Sequence, residues 1–181
     1  MNTDPEHLAS HDPLQPHSHD NNPQPPDNNP TIYFYYLPQD SPSQDKHAAA
    51  SKKAISLADL MADYVQTVIP AYTYMTDHGI HGPYKLEGVA LLDLIEQEVG
   101  KTSQWNSVEV VSADGFGNRL MRDELVPADN SLGLDYAPAL ICHRSNGEML
   151  RRMQGLVRLV VPTETDNALR QVKWVREIRL A

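Results

Sequence analysis

Gly155-Leu-Val-Arg-Leu-Val-Val-Pro162 and, after it, Gln171-Val-Lys-Trp-Val-Arg-Glu-Ile-Arg-Leu180 decide how this chain folds. The first is an apolar run stopped by a proline, the signature of a buried strand. In the second, Val172, Trp174, Ile178 and Leu180 share one parity, which predicts a last strand with one buried face. Just upstream, Ala139-Leu-Ile-Cys-His-Arg-Ser-Asn-Gly-Glu-Met-Leu150 places a strand at Leu140–His143 against a tight Asn146-Gly147 turn. Three consecutive strand-like segments joined by turn chemistry exclude an all-helical protein.

Working outward, the aromatic run Ile32–Leu37 reads as a first strand, at an edge because Pro38 ends it. Residues 38–53 are polar and read as a loop. Ser56 is an N-cap for a short helix, Leu57 to Asp63. Val65 to Thr76 is rich in Val, Ile, Thr and Tyr and suits a strand, with Pro70 predicting a bulge or an edge. His78–Pro83 reads as a turn-rich connection. Val89 to Val99 is the clearest helix, with Leu91, Leu92, Leu94 and Ile95 on its apolar side and Gly100 closing it. Val108–Val111 and Asn118–Met121 form strands around an Asp114-Gly115 turn, and a helical turn follows at Arg122–Leu125. Many strands and a few short helices, without regular βαβ alternation, predict an α+β domain with a mixed sheet.

Composition sets further bounds. Residues 1–30 hold seven of the 14 prolines, five acids and no Lys or Arg. Such a segment cannot offset its ordering entropy and reads as a disordered tail before a domain at 31–181. With that tail set aside, the remainder carries 19 acids against 15 bases. An acidic body argues against nucleic-acid and membrane partners, which need a basic surface. No run approaches the ~18 apolar residues of a membrane span. No secretory leader is visible. The single Cys142 excludes an internal disulfide and a multi-cysteine zinc cage, and a cytoplasmic location is the default expectation.

Several residues are candidates for chemistry. Arg158 interrupts an apolar run and must find a partner or face outward; it is either an anion contact or a structural ion pair. His78 and His81 flank Gly79 and, with Asp77, form either a small metal or acid–base cluster or ordinary loop histidines. Cys142 reads as a buried, inert thiol, and Trp105 and Trp174 as packing. The histidines of the tail fit loose metal binding or a solvated arm. No catalytic residue and no metal-ligand set can be named. No Gly-rich phosphate loop and no haem, flavin or nicotinamide motif is present.

Five segments in order resemble the molybdopterin-binding domain of the sulfite oxidase family: Leu86–Ile95, Ser112–Phe116, Leu140–Leu150, Gly155–Pro162 and Val172–Leu180. The resemblance spans roughly residues 32–181. It implies that family's α+β fold, molybdopterin as cofactor, and an electron-transfer or other protein partner. It also implies a cofactor-binding set. Arg158, Arg170 and Lys173 would meet the pterin phosphate, and Thr76, His78 and His81 would border the metal. In the family's enzymes a cysteine about a dozen residues before the glycine of the helix segment holds molybdenum through a soft thiolate. Counting back from Gly88 reaches Thr76, within a stretch that has no cysteine. The phosphate segment departs too, with Ala168 where the family tends to carry glycine. Weak or absent redox catalysis is the expectation. The alternative is a non-catalytic scaffold that binds a small anion or a protein through the former cofactor pocket.

Overall fold

The computed structural model describes residues 29–36, 51–126, 137–163 and 170–181. Among these residues, ten strands form two sheets. The first runs β2 (Ser51–Ser56), β1 (Thr31–Tyr36), β10 (Val175–Leu180), β5 (Ser107–Ser112), β6 (Gly117–Met121). The second runs β3 (Thr67–Thr76), β4 (Gly79–Ala90), β7 (Leu140–Ser145), β8 (Glu148–Met149), and β9 (Arg158–Val160) also pairs with β7. Among the described residues, only β1 and β10 pair in parallel; the other ladders are antiparallel. Among the described residues, three helices, α1 (Leu57–Asp63), α2 (Leu91–Val99) and α3 (Arg122–Leu125), and a 3-10 turn at Arg152–Gln154 accompany the sheets in an α+β architecture.

Side-chain alternation sorts the core into two clusters. Ile32, Phe34, Val108, Val110, Ile178 and Leu180 of the first sheet pack with Leu91, Leu94 and Ile95 of α2 and with Ile141 and Leu159 of the second sheet. The opposite face of the second sheet buries Ile69, Tyr72, Tyr74, Leu86, Leu140, Cys142 and Val160. Both faces of β7 are therefore covered, and its first four residues are all buried. That explains why Leu140–His143 reads as a run and not as an alternation.

Local chemistry sets several boundaries. Ser56 caps α1: its hydroxyl accepts from the Asp59 amide, and the Asp59 carboxylate accepts from the Ser56 amide, both at 3.0 Å. β3 lies at a sheet edge and its ladder shifts register between Ile69 and Tyr72, on either side of Pro70. Asn146 (φ 52°) and Gly147 (φ 82°) make the β7–β8 turn.

Five expectations need correction. The 38–53 loop ends early, because Ser51–Ser56 is a strand. That strand flanks β1, so β1 is not an edge. His78–Pro83 is not a connection; the chain reverses at Asp77-His78, and Gly82-Pro83 lies within β4 where the ladder is irregular. Val89 and Ala90 still belong to β4, so the helix opens at Leu91. The last strand starts at Val175, since Trp174 takes a left-handed φ of 47° and breaks the run. The tail reading falls on residues outside the described ones, Asn29 and Pro30 excepted.

Candidate functional site

β9 is three residues long, and all three are buried. Its first residue, Arg158, has no solvent exposure. The guanidinium donates to Gln171 Oε1, and its Nη1 lies 3.5 Å from the Gln154 carbonyl oxygen. Gln171, itself buried, donates through Nε2 to the Tyr72 hydroxyl at 2.8 Å. Burial pushes the Tyr72 phenol up from its ordinary range, against the opposing pull of Gln171 and Arg158. The Tyr72 ring stacks on Tyr74 with centroids 5.8 Å apart, and Tyr74 stacks on His81 at 4.9 Å. His81 Nε2 lies 2.9 Å from the Thr76 hydroxyl, which also accepts from the His78 amide at 3.2 Å.

A continuous row thus runs from buried Arg158, across one face of the second sheet, to the tip of the β3–β4 hairpin. It brings together Arg158, His81 and Thr76. His78 joins through its backbone. Tyr72, Tyr74 and Gln171 are the members that reading the sequence missed. The Tyr72-Thr-Tyr74 spacing does signal two rings on one strand face. Gln171 has no such signal, because its role depends on a bridge between Leu159 and Val172.

Arg170 and Lys173 serve other groups. Arg170 forms a forked pair with Glu124 of α3 and donates to the Arg119 carbonyl at 3.1 Å. This holds the Glu124 carboxyl below the usual range. Lys173 is buried with its ammonium 5.3 Å from the centre of the Trp174 ring. Gly155, at φ 99°, permits this packing; a Cβ there would lie 2.9 Å from the Trp174 nitrogen and 3.0 Å from the Lys173 Cβ.

Cys142 is the register partner of Arg158. It has no solvent exposure and its thiol donates to the Arg144 carbonyl at 3.2 Å. Burial pushes its pKa up to about 11 despite the nearby guanidinium. On the other face, His143 Nε2 lies 2.7 Å from Gln66 Oε1. Gln66 spends its amide protons on the Leu60 and Tyr64 carbonyls, so the imidazole must be the donor there. Its Nδ1 is then a buried acceptor with no hydrogen-bond partner. Burial lowers the His143 pKa.

Residues 49–181 match the family model described as the oxidoreductase molybdopterin binding domain. The chain belongs to this family. No curated protein matches it. Family membership agrees with the two-sheet α+β fold, and the residues of this molybdopterin-domain chain can be set against what the family's cofactor needs. The protein's one thiol is an interior, protonated group, unsuited as a metal ligand. The three cations expected at the pterin phosphate each engage protein groups: Arg158 meets Gln171, Arg170 meets Glu124, and Lys173 meets the Trp174 ring. These residues do not fit a molybdenum centre anchored by protein sulfur.

Among the described residues, no helix is long and apolar enough to cross a membrane.

Proposed function

We propose that this chain is a binding member of the molybdopterin-domain family with weak or no redox turnover. The carrying observation is the state of Cys142: fully buried, hydrogen-bonded to a backbone carbonyl, and with a thiol pKa of about 11. A thiolate is the ligand form of cysteine, and this environment disfavours it. The Thr76–His81 hairpin supports the same reading, since it offers a hydroxyl and imidazoles where a soft ligand is expected. In this reading the fold holds a ligand or a protein partner, and an electron acceptor is not required.

The test is elemental analysis for molybdenum and a fluorescence assay for oxidised pterin, on protein purified from a host that makes the cofactor. Pterin with well below one equivalent of molybdenum, or neither in folded protein, is the expected result. Near-stoichiometric molybdenum with pterin would overturn the proposal.

A further inference from the structure

A cleft of about 190 Å³ opens beside β4, the β7–β8 turn and the 3-10 helix. Tyr84, Asn146, Glu148, Met149, Arg151 and Gln154 line it. Two of these carry opposite charges, yet among the described residues neither the Arg151 guanidinium nor the Glu148 carboxylate has a hydrogen bond or ion pair. The two amides are fixed in orientation. Asn146 Oδ1 accepts from the Lys85 amide at 2.9 Å, and Gln154 Oε1 accepts from the Arg151 amide at 2.8 Å. Each oxygen is thereby used by backbone, and each NH2 remains to donate. The cleft therefore offers a guanidinium and two amide donors for an anionic group, one carboxylate for a cationic group, and the Tyr84 ring with the Met149 thioether for an apolar remainder.

Size narrows the ligand. At about 30 Å³ per water, the cleft equals about six waters. That is well under the ~300 Å³ lower range of pockets for drug-sized ligands, which favours a ligand of a few heavy atoms. We propose that this cleft is a binding site for a small zwitterion, of the size and charge pattern of an α-amino acid with a short apolar side chain. The carboxylate meets Arg151, Gln154 and Asn146; the ammonium meets Glu148. The Gln154 carbonyl lies 3.5 Å from Arg158 Nη1, so the 3-10 helix links an occupied cleft to the buried row.

The test is calorimetric titration of the full chain, of measured pterin content, at low ionic strength. The probes are L-alanine, acetate and methylamine. Alanine should bind at least about tenfold more tightly than either half-ligand. Arg151→Gln and Glu148→Gln should each weaken alanine at least about tenfold while leaving the melting temperature unchanged, because among the described residues neither charged group has a hydrogen bond or ion pair to lose. Acetate binding as tightly as alanine would overturn the proposal, as would either variant binding alanine normally. Absence of heat with all probes up to ~10 mM would overturn it as well.

Discussion

Arg158 carries its charge at zero exposure, so its neighbours are organised around it. Replacing it with Ala strands the Gln171 carbonyl oxygen and opens a cavity next to Cys142. The expected loss is about 3 kcal/mol, a fall of roughly 10 °C in melting temperature, measured by calorimetry. An anion contact on the surface would instead leave stability almost unchanged. Cys142 should resist alkylation: with a pKa of about 11, only about one thiol in a thousand is ionised at pH 8. Mass spectrometry should find the label only after denaturation. His143 has its pKa lowered in the folded state, so the unfolded chain binds the proton more readily. Its contribution to stability is complete above the unfolded value near 6.5 and is lost as pH falls from there through the folded value. The melting temperature of His143→Gln should therefore fall less between pH 7.5 and 5 than that of the parent. At this scale the sequence was informative where chemistry is local: an arginine inside an apolar run had to be partnered or exposed, and a lone cysteine in Leu-Ile-Cys had to be inert. Gln171 was illegible because its partners, Arg158 and Tyr72, arrive from separate strands.

Elements show the same division. α1 was readable to its end residues because Ser56 and Asp59 sit three apart and cap each other. Ser56→Ala should cost about 1 kcal/mol in urea unfolding. β2 was not readable: only Ile55 is buried in Ser-Lys-Lys-Ala-Ile-Ser, so there is no alternation to detect, and its strand conformation comes from pairing along all of β1. Gly88 looked like a helix opener and is instead a point of close approach. A Cβ there would meet the Ile141 carbonyl oxygen and lie 2.8 Å from the Cys142 Cα, at the register shift between β4 and β7. Gly88→Ala should therefore destabilise by roughly 1–3 kcal/mol, against the small gain an alanine gives in a helix. Equilibrium unfolding separates these two outcomes by sign.

Across the whole molecule, an α+β class with a mixed sheet was legible from strand-like runs and the shortage of helices. The split into two sheets was not, because it depends on which strands become neighbours, and β1 with β10 are about as far apart in sequence as the chain allows. β10 sits between β1 and β5, and the Ala181 carbonyl accepts from the Asn106 and Ser107 amides. Deleting residues 175–181 should abolish cooperative unfolding, followed by circular dichroism on heating, and not merely lower its midpoint. The parallel pairing of β1 with β10 also has a consequence for biogenesis. While the chain emerges from the ribosome, β1 can pair with β2 on one side, but its other side waits for the final strand. Until then β1 and β5 each present a bare edge that can recruit another nascent copy. Slow translation of the last third should therefore raise the demand for chaperones that shield extended segments, although the finished fold leaves neither edge open.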